Sequence, residues 1–351
     1  MKKIGIITIC GNNNYGNRLQ NYALIKIVDS MGFESHTIWP KLNLLRNISI
    51  RYKNRNLSQL DSTRINNFKN FTDNYTKPIF LKYNKKIGNK YEKIIVGSDQ
   101  IWNLEWQLWL NKFLIKIEKN KIIAYAPSFG VSKIKDSQIK WYRKIINNVK
   151  YLSIREDRGK EIIEELTGRK DAKVLIDPTM LLKSDVWDEV SLRPIQLDKY
   201  KDNKYILMYF LGDISQNNRL EIERVAKENN CIIINILDKN SEFYTCGPSE
   251  FLYLIKNAFL ICTDSFHSSV FSFLYNRPFI VYNREKAAGD MSSRLDTLIS
   301  KFNLKDRRYN GKRITKENLN HDYTEAYKIL ETEREKSKKF LEKALDIEDN
   351  K

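Results

Sequence analysis

Short apolar runs recur along this chain. They alternate with stretches whose apolar residues fall three and four positions apart. Residues 4–9 read as a buried strand and 17–31 as the helix after it. Residues 93–96, 122–125, 151–154 and 174–176 give further strands, with a helix over 157–166 between the last two. A polar stretch at 184–203, containing Pro194, interrupts the series. A second series follows, with strands over 205–210, 231–236, 259–262 and 279–281 and helices over 218–228, 248–256, 268–275 and 292–302. Strand–helix–strand alternation predicts parallel sheets covered by helices on both faces, the α/β class. Residues 1–190 and 200–305 are expected to form two doubly wound domains. The charged stretch 306–351 is expected to be a helical tail that either packs back on the first domain or frays. Two such domains meet across a cleft at the carboxyl ends of their strands, where ligands bind in sheets of this kind.

Charge changes this picture in one place. The chain carries +18 in 351 residues, and residues 41–93 hold 13 Lys and Arg against 3 Asp and Glu, a local +10. A surface facing something anionic and an ordinary solvated face explain this equally well. An anionic membrane leaflet would gain about 1 kcal/mol for each Lys or Arg brought near it. No zinc-finger spacing or aromatic ribonucleoprotein-type motif is present, so nucleic acid is not an expected partner. Cys10, Cys231, Cys246 and Cys262 form no Cys-x-x-Cys pair, and reduced cysteines fit a cytoplasmic protein. No run of 18 apolar residues spans a membrane, and the apolar run after Met1 stops at Cys10, too short for a signal peptide. The expected location is the cytoplasm, with peripheral contact on the inner membrane face.

Four turns carry candidate chemistry. Residues 11–19, with Asn14, Asn17 and Arg18, follow the first strand and open the first helix. Glycines there let backbone approach a ligand, and a helix N-terminus favours anions. A tight turn with no ligand explains them nearly as well. The turn matches neither the P-loop nor the dinucleotide fingerprint. Residues 96–103 place Ser98, Asp99, Gln100 and Trp102 together after a strand, a set suited to hydroxyl-rich ligands; helix capping by Asp99 or Ser98 is the competing account. Arg155 stands at a strand end before a helix, where its planar fork suits phosphate or carboxylate, or pairs with Glu156 or Asp157 on the surface. Residues 259–269 are the strongest of the four. There His267 sits in a strand-end turn with Thr263, Asp264, Ser265, Phe266 and Ser268, a candidate acid or base; a buried structural histidine is the competing account. His36 and His321 have no such surroundings. No His-Glu-x-x-His and no Asp-x-Asp occurs, so no metal site is expected.

These blocks, in this order, resemble the polysaccharide pyruvyl transferase family. The matching segments are 15–24, 97–103, 153–157 and 263–273 with Arg277-Pro278-Phe279, and residues 248–252 also fit. The resemblance implies two Rossmann-like domains in a GT-B-like arrangement. It also implies phosphoenolpyruvate as co-substrate, with no cofactor, and a pyruvate ketal on a sugar of a cell-surface polysaccharide precursor. On this basis His267 and Arg155 are the expected catalytic pair. Ser265, Phe266, Ser268 and Arg294 join them around the donor in the second domain. Asn14, Asn17, Arg18, Asp99, Gln100 and Trp102 would face a lipid-linked or nucleotide-linked sugar acceptor in the first domain. One departure is Ser268, where many members have glycine. The alternative is a GT-B-like glycosyltransferase using a nucleotide sugar; a non-catalytic basic binding module is the third possibility.

Overall fold

The computed structural model describes residues 1–41, 57–82, 85–200, 203–284 and 293–347. The basic stretch expected at 41–93 therefore lies partly outside the described residues.

The first domain holds one sheet of seven strands: β1 (Lys3–Ile7), β2 (Glu34–Pro40), β3 (Pro78–Leu81), β4 (Lys93–Val96), β5 (Ile122–Ala124), β6 (Tyr151–Ile154) and β7 (Lys173–Val174). Their order is β3-β2-β1-β4-β5-β6-β7, and every pairing is parallel. The second holds β8 (Lys204–Tyr209), β9 (Cys231–Asn235), β10 (Leu260–Thr263) and β11 (Phe279–Val281), ordered β11-β10-β8-β9 and again all parallel. Apolar runs such as Lys93–Val96 and Leu260–Thr263 are buried at every position, as strands covered on both faces require.

The sheet order creates two switch points. In the first sheet, β1 has β2 on one side and β4 on the other. In the second, β8 lies between β9 and β10. The connections from these strands leave in opposite directions at those points and open a crevice beyond the strand ends.

The helices that bear on the site are α1 (Tyr15–Ser30), α2 (Gln59–Tyr75), α3 (Leu104–Leu114), α4 (Asp136–Asn147), α5 (Asp157–Thr167), α6 (Gln216–Glu228), α7 (Pro248–Asn257), α8 (Phe266–Leu274), α9 (Ser293–Lys301) and α10 (Thr324–Ala344). Helix α1 is buried from Tyr15 through Ile25, because it is covered on both sides. Leu24, Ile25 and Val28 pack with Ile4 and Ile6 of β1. Tyr15, Leu19, Tyr22 and Ala23 join a core that includes Phe251 and Leu252 of α7 and Phe271 of α8. One apolar core thus runs through the domain boundary. The charged tail packs back on the first domain. In α10, Ala326 and Leu330 belong to the core shared with the second domain, and Leu341 and Ala344 pack among the residues beneath β1.

Candidate active site

The loops after β1, β4, β8 and β10 converge on a cavity of about 400 Å³ between the domains. Its first-domain wall presents Asn13, Asn14, Asn17, Asp99, Gln100 and Gln107. Its second-domain wall presents Ser265, Phe266, His267, Arg284 and Arg294. Asn14 is the N-cap of α1 and accepts from the Asn17 amide at 3.1 Å. Ser265 is the N-cap of α8, which fixes the turn from which Phe266 and His267 project.

Asp99 adopts φ 59°, ψ −165°, a conformation that non-glycine residues avoid. Its carbonyl holds the turn by accepting from the amides of Ser128 at 2.7 Å and Ile101 at 2.8 Å. Its side chain makes no cap. The carboxylate instead accepts from Arg155 Nη2 at 3.1 Å and lies 3.6 Å from Arg294 Nη1. Burial pushes the Asp99 carboxyl up, but Arg155, His267 and Arg294 together outweigh it and hold the group below the usual carboxylate range.

Arg155 is 3% exposed. It donates to Asp177 Oδ2 at 2.6 Å as well as to Asp99, and its guanidinium stacks on the Phe266 ring at 4.4 Å. Burial alone would lower its pKa; Asp177 and Asp99 raise it above the ordinary value. Arg155 therefore sits behind Phe266, not on the cavity. The alternative of a surface pairing with Glu156 or Asp157 does not form either; Arg155 pairs with Asp99 and Asp177. Glu156 is buried and accepts from Ser128 Oγ at 2.8 Å and the Phe129 amide at 3.1 Å.

Asp177 escaped the sequence reading and is the hub of the site. Oδ1 accepts from the Thr179 amide at 3.0 Å and Thr179 Oγ1 at 2.8 Å. Oδ2 faces Arg155, Ser98 Oγ at 2.9 Å and His267 Nε2 at 3.6 Å. Burial would raise its pKa, yet His267, Arg155 and the Thr179 amide hold it far below the carboxylate range. The available signal was Asp177-Pro178-Thr179 straight after a strand run.

Arg284, also unforeseen, donates from Nε to Asp264 Oδ2 at 2.8 Å and lines the cavity beside Arg294. Asp264 in turn accepts from the Leu211 and Gly212 amides at 2.7 and 2.8 Å, tying the β8 loop to the β10 loop. Burial and the neighbouring Arg155 lower the Arg294 pKa to about 10.

Besides Arg155, three expected site residues lie off the cavity. Trp102 is 1% exposed and packs against Phe129, so it is a core residue. Arg18 is fully buried on α1, donates to the Ile9 carbonyl and lies 5.3 Å from the Trp39 ring; burial lowers its pKa to about 10. Ser268 is fully buried in α8, with its carbonyl accepting from Ser272 Oγ at 2.7 Å. None of the three lines the cavity. Asn14, Asn17, Asp99, Gln100, Ser265, Phe266, His267 and Arg294 do. Among the described residues no group of three His, Cys, Asp or Glu side chains is placed to hold a metal ion. No helix among them is long and apolar enough to cross a membrane.

Solved structures share this architecture. A UDP-GlcNAc 2-epimerase from Neisseria meningitidis bound to UDP-GlcNAc aligns over 98% of this chain and 99% of its own, with 12% identity and a TM-score of 0.50. The UDP-N-acetylglucosamine 2-epimerase from Rickettsia bellii aligns over 99% and 98%, with 13% identity and a TM-score of 0.52. MnaA of S. aureus in complex with UDP covers 95% and 89%, with 14% identity and a TM-score of 0.52. At such identities the likeness shows the GT-B-type fold alone. No curated protein matches the sequence. The family model for polysaccharide pyruvyl transferase matches residues 14–286, which span every strand of both sheets but β1 and every cavity residue named above except Asn13 and Arg294, and the chain belongs to that family.

Proposed function

We propose that the chain transfers pyruvate from phosphoenolpyruvate onto two hydroxyls of a sugar, forming a ketal on a cell-surface polysaccharide precursor. The observation that carries this reading is the chemical difference between the two cavity walls. Arg284 and Arg294 bring positive charge to one wall beside His267, while Asn13, Asn14, Asn17, Gln100 and Gln107 surround Asp99 on the other with amide donors and acceptors. A phosphate–carboxylate donor suits the first, and a polyol suits the second.

The chemistry assigns roles. His267 delivers a proton to C3 of the enol, which makes C2 electrophilic. One sugar hydroxyl adds at C2 and returns its proton to the now neutral His267, the C2–O bond to phosphate breaks, and the second hydroxyl closes the ketal as the departing phosphate takes its proton. Arg284 and Arg294 balance the donor's charge and that of the departing phosphate. Arg155 holds Asp99, Asp177 and Phe266 in place from behind. The acceptor is a lipid-linked or nucleotide-linked sugar, and the basic stretch 41–93 supplies the charge for an anionic inner leaflet.

The test is heat denaturation with millimolar phosphoenolpyruvate, since a ligand bound only by the folded state raises its stability. The melting temperature rises in the parent and not in Arg294→Ala. No rise with phosphoenolpyruvate, together with a clear one for a uridine or guanosine sugar nucleotide, would overturn the assignment in favour of a glycosyltransferase.

A further inference from the structure

We infer that Asp177 is a positioning residue that fixes His267 in its Nε2–H form, so that proton exchange with a bound ligand runs through Nδ1. The inference deepens the function proposed above, but its geometry stands without it. Three observations converge on it.

His267 Nε2 is buried and has no hydrogen-bond partner, and its nearest acid is Asp177 Oδ2 at 3.6 Å. Asp177 is itself fully buried and immobilised. Thr179 donates twice to Oδ1, and Arg155 donates to Oδ2. A carboxylate so surrounded by donors can only accept, and a neutral imidazole facing an acceptor must turn a protonated nitrogen to it. The third observation is the seat of the ring. A Cβ built on Gly16 would fall no farther than 2.6 Å from Nδ1, Cγ and Cε1 alike. Such similar distances place Gly16 over the face of the ring, not at the tip of Nδ1, so the in-plane lone pair of Nδ1 is not blocked by the glycine. With Nε2 turned inward, the Nδ1 edge serves the cavity that His267 lines. Asp177 and Gly16 belong to the first domain and His267 to the second, so the tautomer is set across the domain boundary.

The experiment is nitrogen-15 NMR of the full chain labelled at histidine. The chain has 3 histidines, and His267→Gln identifies the signal of interest. In the parent, neutral His267 shows a protonated Nε2 and a bare Nδ1. In Asp177→Asn, the two Thr179 donors keep the carboxamide oxygen at the Oδ1 position. The NH₂ group then takes the place of Oδ2, against the Arg155 and Ser98 donors as well as Nε2, so Nε2 no longer faces an acceptor and the tautomer shifts to Nδ1–H. In a pyruvyl transfer assay kcat falls by about 10³- to 10⁴-fold, the scale of presenting a wrong histidine tautomer, with KM for the donor little changed. A bare Nε2 in the parent overturns the inference without any variant being needed. So does an unchanged tautomer in a folded Asp177→Asn. If the tautomers behave as stated while no pyruvyl transfer is found, the proposed function falls and the inference stands.

Discussion

The imidazole of His267 rests face-on against Gly16, two residues from different domains and 251 positions apart in sequence. Gly16 lies in the first turn of α1, where glycine is normally the weaker choice: alanine in a helix interior gains about 0.5–1 kcal/mol over it. Here a methyl group has no room unless the buried ring moves. Gly16→Ala is therefore expected to destabilise the protein, by about 1–3 kcal/mol as overpacked sites do, and to weaken any activity that uses His267. Urea denaturation reads the sign directly. A stabilised Gly16→Ala would mean that the ring is free to move aside.

Arg155 bridges two buried carboxylates, Asp177 at 2.6 Å and Asp99 at 3.1 Å. Removing one partner of such a network leaves charges buried without compensation, at a cost of about 3–5 kcal/mol. Arg155→Ala is expected to lose that much at neutral pH. The sign with pH follows from the carboxylates. Both have depressed pKa values in the folded state, so their stabilising contribution is present above the ordinary Asp value of about 3.9 and is lost as pH falls through the folded values. The gap between parent and Arg155→Ala should therefore be widest above pH 4 and shrink in acid. A gap that stays constant to pH 2.5 would show that the ion pairs contribute little.

Most of the sheet framework was legible in sequence, because parallel strands buried on both faces are continuous apolar runs that need no context. The strands at one edge were not. In β2 the inward positions are Ser35 and Thr37, satisfied by Asp29, Asn21 and the Thr76 carbonyl, so the strand carries no apolar alternation. Strand β3 has four residues and opens on a proline. At the site, turns following strong strands exposed Asp99, Arg155 and His267. Asp177 stayed hidden because its partners lie 22, 79 and 90 residues away, and only the folded sheet brings them together. Trp102 follows the correct turn and Arg18 lies in the first turns of α1 beside it, but both face inward. Side-chain direction within a short turn depends on backbone geometry that residue types alone do not specify.

Glu156 offers a test with the opposite sign. Burial pushes its carboxyl up, against the pull of Arg155 and Arg294 and the bonds from Ser128 and Phe129. A raised folded pKa means that stability is intact below the ordinary Glu value and is lost as pH rises through the folded one. Each unit of elevation costs about 1.4 kcal/mol at high pH. Glu156→Gln keeps an acceptor for Ser128 and Phe129 and removes the titration. Relative to the parent it should gain stability between pH 4 and pH 8, read from urea midpoints at both. An identical difference at the two values would mean that Glu156 ionises in the fold as easily as in the unfolded chain.

The domain boundary itself makes the last prediction. Tyr15 of α1 stacks on Phe251 of α7 with centroids 4.3 Å apart, accepts from Arg64 of α2 at 2.8 Å and donates to the Cys246 carbonyl at 2.8 Å. Arg64 lies 4.8–5.1 Å from the rings of Tyr15, Phe68 and Tyr244. Interfaces between domains that swing apart are more polar than this continuous apolar core. Because the apolar core continues from one sheet to the other, neither domain can unfold without exposing the other's surface, and calorimetry should show one cooperative transition with matching van't Hoff and calorimetric enthalpies. Tyr15→Phe strips the hydroxyl and leaves the Cys246 carbonyl and part of Arg64 unpaired, which should lower stability by about 1–3 kcal/mol while keeping the single transition. Two resolved transitions in the parent would show that the domains fold independently. In that case the seat that Gly16 provides for His267 would exist only when the domains happen to close.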